Sequence, residues 1–408
     1  MCDFAARLSD RVMPRVPVRQ WVLTVPHGLR VKLTFDPALT GIVLRELIAA
    51  VSSWLRRRAR RLGILGALKT GAVTVIQRFN SALDLSVHFH ALILDGVYSF
   101  PTGRKPVFHP TRAPTDEDVA QVATAVFRRV ERKLADRESS GGQERFAENA
   151  PLLMAMAEAS AKGVVATGPR RGCRIVRIRG APANVNVFVM GRLCAQIEGY
   201  NLQAATRLAA NDREGLERMG RYLARPPVAT DRLSLLDDGR LELRLKRPWC
   251  DGTTSFIFTP HDLIERLVAL VPRPRAHLVR YSGVLAPAFA ARAQIVPSAE
   301  EACLEQGPAL PPEGAEMPKR PGRVPWAPLL WRVFLADVLK CAQCSGRMRI
   351  VAAVTSRLEV IRILVSMGLA SDPPPLHAAR PPPQVELTFE DAAPGFEPDP
   401  PAPDDFSA

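Results

Sequence analysis

The sequence predicts an α+β chain organised on an antiparallel sheet, and three observations carry that reading. β-Branched and alternating apolar runs recur at Val18–Pro26, Arg30–Phe35, Ala72–Phe79 and Leu85–Leu94. The connection Asn80–Asp84 between the last two is too short for a crossover, so those strands must be antiparallel neighbours. Elsewhere the apolar spacing changes to that of helices, over 40–62, 115–137, 144–162 and 211–225. With 408 residues, 47% of them hydrophobic, the chain has material for two or three domains and a sizeable core.

In order along the chain, Val18–Pro26 and Arg30–Phe35 are expected to form a hairpin across the Pro26-His27-Gly28 turn. Residues 40–62 follow as a helix ending in Arg56, Arg57, Arg58, Arg60 and Arg61, a basic end that suits the helix dipole and can also grip a phosphate backbone. Ala72–Phe79 then pairs with the strand that holds His88 and His90. A regular hairpin would set Val75 opposite His88 and Gln77 opposite Ser86. Val97–Phe100 is expected to return as a further short strand. The helices at 115–137 and 144–162, separated by Glu138–Gly142, are expected to form an insertion or cap. In Arg174–Arg179 arginine alternates with aliphatics, which places Arg177 and Arg179 on one strand face, a plausible lining for a phosphate groove.

Asn211-x-x-Glu214 reads as the start of a helix whose buried stripe is Leu216, Met219 and Leu223, and Pro226-Pro227 ends it. Tyr222 falls in its last turn, with Arg218 one turn before and Arg225 just after it. Residues 298–325 read as a Pro/Gly/Glu-rich linker, 326–369 as a small unit, and 370–408 as a Pro-rich acidic tail expected to be disordered. The small unit contains Cys341-Ala342-Gln343-Cys344, half of a zinc knuckle by spacing. No second Cys-x-x-Cys exists, so zinc and a metal-free turn are both readings of it.

Net charge is +14, unevenly spread: residues 371–408 hold eight acidic residues and one arginine, net −7, which leaves +21 for the remainder. Only eight of the 55 basic residues are lysines, so the field is built of guanidinium groups, whose planar fork suits phosphate. Nucleic acid is the expected partner, against the alternative of an ordinary solvated basic surface. No apolar run reaches the roughly 18–20 residues of a membrane span, and Met1–Arg7 has no signal-like pattern, so a cytoplasmic protein is expected. Seven scattered cysteines, an odd number, point to reduced thiols.

The chemistry-bearing stretch is Leu85–Gly96. Period-two alternation sends His88 and His90 to one face, where two imidazoles side by side suit a divalent metal or, alternatively, hydrogen-bond within a core. Gln77 on the neighbouring strand is then either a third ligand or a group that hydrogen-bonds a ligand histidine.

Together with the Arg221–Pro227 segment, Leu245–Trp249 with Asp251–Thr254, His277–Tyr281 and the C-terminal Cys-x-x-Cys, the Val73–Val97 stretch resembles the rolling-circle insertion-sequence transposases of bacteria, in the HUH endonuclease class. The resemblance runs in order from about residue 16 to 368. It implies an RNA-recognition-motif-like sheet with a central histidine strand, a catalytic domain over 14–297, and Mg²⁺ or Mn²⁺ as cofactor. Carried over residue by residue, it makes His88 and His90 the metal pair and Tyr222 the nucleophile. It further implies nicking and rejoining of single-stranded DNA, at element ends and in target DNA, through a 5′-phosphotyrosine. Residues 1–13, with Cys2, would be the remnant of the family's N-terminal zinc module. Two further departures stand out: Arg218 and Pro226 occupy the positions of a second tyrosine, and Ser282 follows Arg280-Tyr281 where histidine is usual. A replication initiator would use the same chemistry. A DNA-binding remnant without activity, and a metal phosphohydrolase with water as nucleophile, are the readings from other classes.

Overall fold

The structure, a computed structural model, describes residues 1–138, 150–179, 191–297 except 247 and 250, 326–349 except 335, 336 and 342, and 354–372. The expected linker, the acidic tail and the breaker Ser139–Gly142 lie outside the described residues. The architecture is α+β with antiparallel sheets.

In residues 3–307 the elements run as follows. The helix α1 (Cys2–Arg7) continues as a π-helical turn (Leu8–Val12) into β1 (Val18–Thr24), α2 (His27–Phe35), α3 (Pro37–Arg61) and β2 (Leu68–Lys69). Next come β3 (Gly71–Phe79), β4 (Leu85–Leu94), β5 (Gly96–Ser99), β6 (Val107–Pro110), α4 (Asp116–Glu138), α5 (Pro151–Ala161) and β7 (Val176–Arg179). The rest are β8 (Cys194–Ile197), β9 (Tyr200–Gln203), β10 (Arg207–Leu208), α6 (Arg213–Leu223), β11 (Leu233–Leu235), β12 (Leu241–Arg244), β13 (Thr253–Phe258), α7 (Pro260–Leu270) and β14 (Val279–Gly283).

The main sheet has seven strands in the order β14-β3-β4-β1-β9-β8, with β10 also paired to β1, and every pairing is antiparallel. Its two faces are buried differently. Trp21, Leu23, Val87, Phe89 and Ala91 point to the face covered by α3 and α4, where Trp54, Leu47, Val122 and Val126 meet them. Val73, Val75, Leu92 and Leu94 point to the other face and pack on Leu216, Met219 and Leu223 of α6. A four-stranded sheet, β11-β12-β13-β7, packs with α5 and α7 around Phe256, Phe258 and Trp249 as a third core. The separate unit of residues 308–386 contains α8 (Trp326–Phe334), a bridge between Lys340 and Arg347 that closes the Cys341–Gly346 turn, and α9 (Arg357–Ser366).

Several expectations are corrected. Arg30–Phe35 is helical, not the return strand of a hairpin. Leu29 and Leu33 join the first core while Val31 and Phe35, also four apart, join the third, so a helix wedged between two cores imitates strand alternation. The β3–β4 register is displaced by two residues, with Gln77 opposite His88 and Val75 opposite His90: the turn sets Phe79 opposite Leu85, one residue beyond the expected pairing, and the irregularity between Gln77 and Phe79 takes up one more. Val97–Ser99 does not rejoin the histidine strand, since β5 pairs with β2 and β6. The helix α4, expected in an insertion or cap, covers the sheet: Val119, Val122, Val126 and Val130 lie in the main core, and Trp54 Nε1 donates to Asp118 at its first turn. Asp212, not Asn211, caps α6, its carboxylate accepting from Gly215 N–H.

Residues 1–13 are part of the core under the tyrosine helix. Ala5, Leu8 and Met13 are buried, and a Cβ at Gly220 would stand 2.9 Å from Ala5 Cα, so α6 and the N-terminal turn approach too closely for any larger residue there. Among the described residues the one helix long and apolar enough to cross a membrane is α3, and its apolar side, from Leu39 to Trp54, is packed on the sheet.

Candidate functional site

The site is assembled from β1, β3, β4 and the C-terminal turn of α6. Alternation along β4 puts His88 and His90 on the α6 face with ring centroids 4.9 Å apart. Their strand lies inside the sheet between β3 and β1, so the imidazoles are held by ladders on both sides.

Each nitrogen has an assignable role. His88 Nδ1 lies 2.8 Å from Ser86 O. A carbonyl only accepts, so Nδ1 carries the proton and Nε2 presents its lone pair. Facing it at 3.2 Å is Gln77 Oε1, another acceptor. The amide is fixed in that sense because Gln77 Nε2 donates to Leu223 O at 2.9 Å. Two acceptors turned toward each other in a buried place are unfavourable unless a cation lies against both. Right-angled ligands at about 2.1 Å from one ion are about 3.0 Å apart, so the pair has the span of adjacent coordination positions.

His90 is buried, and its Nε2 has no hydrogen-bond partner. Its Nδ1 meets the side-chain amide of Gln20 at 2.8 Å. With the amide nitrogen toward the ring, Nε2 carries the proton. With the amide turned over, Oε1 accepts from Nδ1–H and frees the Nε2 lone pair, the arrangement a metal-ligating histidine takes. His88 Nε2, His90 Nε2 and Gln77 Oε1 therefore fit a divalent cation. Two imidazoles with one amide oxygen suit Mn²⁺ at least as well as Mg²⁺. Among the described residues no group of three His, Cys, Asp or Glu forms, and the Gln77 amide oxygen is the side-chain acceptor that faces His88 Nε2.

Burial pushes the His88 imidazolium down to about 4, with Arg225 and Arg30 adding to the shift against the Ser86 carbonyl. Burial also lowers His90, helped by His88 and Arg225. Both rings are thus neutral, as ligands must be, across the physiological range.

Tyr222 reaches the same place because Leu223 O is tied to Gln77. Its ring stands edge-on to His90, with centroids 6.1 Å apart at 89°. Of the other tyrosines, Tyr281 on β14 packs on the same core as Tyr222, whereas Tyr200 and Tyr98 are differently placed. Tyr200 is on the opposite sheet face and donates to Glu131 at 2.7 Å, and burial pushes its hydroxyl up. Tyr98 is buried beside Phe108 and is pushed up to about 12.

The predicted arginines do not form one group. Arg225 lies with its guanidinium carbon 4.6 Å from the Tyr222 ring centroid. Arg218 turns away to Glu214 at 2.6 Å. Arg177 and Arg179 share one face, as expected, but on the second sheet: both lie 3.6 Å from Asp251, and Arg177 also covers Trp249 and Phe256. Arg56–Arg61 end α3, on the sheet face opposite the histidines. There Arg58 is bound to Asp118 at 2.5 Å and stacked on Trp54, while Arg56 bonds back to Ser52 and Ser53. Cys341 and Cys344 belong to the separate unit, where no third His, Cys, Asp or Glu ligand joins them among the described residues.

Sequence reasoning passed over Gln20. Its one signal was a polar side chain alternating with Val18 and Val22 on one strand face; it pairs with Leu92, two residues from His90.

No curated protein and no solved structure matches this chain. The family model described as "Y2_Tnp: Putative transposase" matches residues 71–293, more than half of the chain. That span takes in β3, β4 and α6, hence both histidines, Gln77 and Tyr222, and on it the chain belongs to this transposase family.

Proposed function

We propose that the protein is an HUH-type transposase that nicks and rejoins single-stranded DNA through Tyr222, in rolling-circle transposition in the bacterial cytoplasm. The observation that carries the reading is the approach of Tyr222 to His90, beside two neutral imidazoles and an amide oxygen that leave three acceptors for a divalent cation. A cation held by His88, His90 and Gln77 supplies Lewis-acid polarisation of a phosphate oxygen.

The chain's own residues do the rest. The hydrogen bond from Gln77 to Leu223 O ties the last turn of α6 to β3, beside the histidine strand, and so aims Tyr222 at the site. The Tyr222 oxygen attacks phosphorus, an O–P bond to tyrosine forms, and the bond to the 3′-oxygen breaks. The phenol proton passes to solvent, and the departing 3′-oxygen gains one. The product is a 5′-phosphotyrosine and a free 3′-hydroxyl. Attack by another 3′-hydroxyl reverses the step, and rejoining then needs no nucleotide cofactor. Ser86 O holds His88 in the tautomer that the site requires, and Gln20, with its amide turned so that Oε1 faces Nδ1, would hold His90 in it.

Mn²⁺-dependent cleavage of single-stranded oligonucleotides bearing the element's ends tests this. Tyr222→Phe, which keeps the ring and its packing, should bind the strand and fail to cut it. His88→Ala and His90→Ala should each lose cleavage. Cutting that persists in Tyr222→Phe would favour water as the nucleophile and refute the proposal.

A further inference from the structure

Three arginines follow one another at the end of α6, and two are already neutralised. Arg218 is bound to Glu214 at 2.6 Å and Arg221 to Glu217 at 2.9 Å, each one turn back on the same helix. Arg225 is different. Among the described residues it has no carboxylate partner, and its Nε is buried without a hydrogen bond. Its guanidinium carbon lies 4.6 Å from the Tyr222 ring centroid and 6.0 Å from that of Phe79.

The placement is enforced. Arg225 N–H donates to Tyr222 O at 3.3 Å, and Leu223 O is held by Gln77, so the turn is anchored to the histidine sheet. Pro226 then denies residue 225 a helical continuation. The guanidinium is carried back over the tyrosine, not out along the helix.

Around Tyr222 stand the two imidazoles, the Gln77 amide and this guanidinium. A guanidinium with no carboxylate partner among the described residues and an orphaned Nε–H calls for an anion with oxygen acceptors beside the tyrosine. We propose that Arg225 is the phosphate-holding residue of the site, donating from Nε and a terminal nitrogen to the non-bridging oxygens of a phosphodiester and holding its phosphorus against the Tyr222 hydroxyl. The fork matches two oxygens of one phosphate, which a lysine ammonium does not. Charge that builds on those oxygens during the attack strengthens the contact, so the residue acts on rate as well as binding. The inference rests on the tyrosine reading above and assigns the substrate contact which that reading leaves open.

The test uses the full chain with Mn²⁺ and thymidine 3′,5′-diphosphate, whose binding is read calorimetrically without any cleavage. Arg225→Met keeps the apolar stem over Tyr222 and Phe79. It should weaken the diphosphate by roughly ten- to hundredfold, the range for losing a hydrogen bond between charged groups. Affinity for Mn²⁺ alone should hold or rise, since a cation near the imidazoles is gone. Arg225→Lys should fall between. The single-turnover rate of adduct formation should drop in both variants, by more in Met. A merely structural clamp would alter thermal stability and leave the diphosphate affinity of folded protein unchanged. The proposal is overturned if diphosphate binding in folded Arg225→Met, or in Arg225→Lys, equals that of the unsubstituted protein. Failure of the tyrosine chemistry is reported separately by Tyr222→Phe, which leaves this measurement intact.

Discussion

Replacing Gln77 by leucine removes two contacts with opposite consequences, and their balance can be worked from the geometry. The amide N–H to Leu223 O, 2.9 Å long and buried, is lost, and the carbonyl is left without that donor, at a cost of about 1–3 kcal/mol. The acceptor Oε1 facing His88 Nε2 at 3.2 Å also goes, which relieves part of that cost in metal-free protein. With a divalent cation the balance reverses, because one of three donors is missing. Suppose Mn²⁺ is present at 100 times its dissociation constant for the unsubstituted protein. It then stabilises the native state by about 2.7 kcal/mol, and a tenfold loss of affinity halves that to about 1.4 kcal/mol. The assay is denaturant unfolding with and without Mn²⁺, comparing Gln77→Leu with Gln77→Glu. The glutamate variant loses the donor to Leu223 but keeps an oxygen toward the ion, so it should be the less stable without metal and gain the more from it. Equal Mn²⁺ stabilisation in Gln77→Leu and the unsubstituted protein would refute the assignment of Gln77 as a ligand.

Other expectations follow from the same geometry. Because His88 is held down to about 4 and His90 is lowered too, the unfolded chain binds more protons than the native one below pH 6.5. Stability from these groups is complete above that pH and declines as pH falls toward 4, by up to about 1.4 kcal/mol per unit for each histidine; denaturation curves at pH 7, 6 and 5 should show the slope, and His88→Asn should flatten it. Gln20→Leu removes the partner of His90 Nδ1 and should weaken Mn²⁺ binding about 10–100-fold by titration, with Tyr222 in place. Gly220→Val drives a side chain into Ala5 and should destabilise by about 1–3 kcal/mol through overpacking, read as a lower melting temperature.

Much of the site was legible because it depends on strand alternation, which is local. His88 and His90 share a face whatever the rest of the chain does, and Tyr222 had to end a helix that Pro226 stops. The coincidence of the two was not legible. It depends on Gln77 reaching Leu223, 146 residues on, and on an irregularity in β3 that no turn rule for Asn80–Asp84 announced. The arginines show the same limit. Composition identifies a basic chain, but whether a guanidinium faces solvent, a carboxylate or Tyr222 depends on neighbours remote in sequence, as Asp118 for Arg58 and Asp251 for Arg177.

The fold was read correctly where periodicity had one cause and misread where it had two. The helix α3 has one apolar stripe and one partner sheet, and its spacing is unambiguous. The helix α2 serves two cores, so its apolar residues alternate and imitate a strand. The Asp95 carboxylate is bound by buried Arg19 at 3.0 Å and by Arg207 at 3.1 Å, which fastens the end of β4 to β1 and β10.

The central claim, that Tyr222 becomes joined to DNA, is tested most directly by intact and peptide mass measurement after incubation with Mn²⁺ and a single-stranded oligonucleotide carrying the element's ends. The account predicts a protein heavier by the 5′-phosphorylated fragment, stable to boiling in detergent, with the nucleotide on the peptide containing Tyr222 and no adduct in Tyr222→Phe. Cleaved DNA with protein of unchanged mass, or the nucleotide on the peptide of Tyr98, Tyr200 or Tyr281, would contradict it.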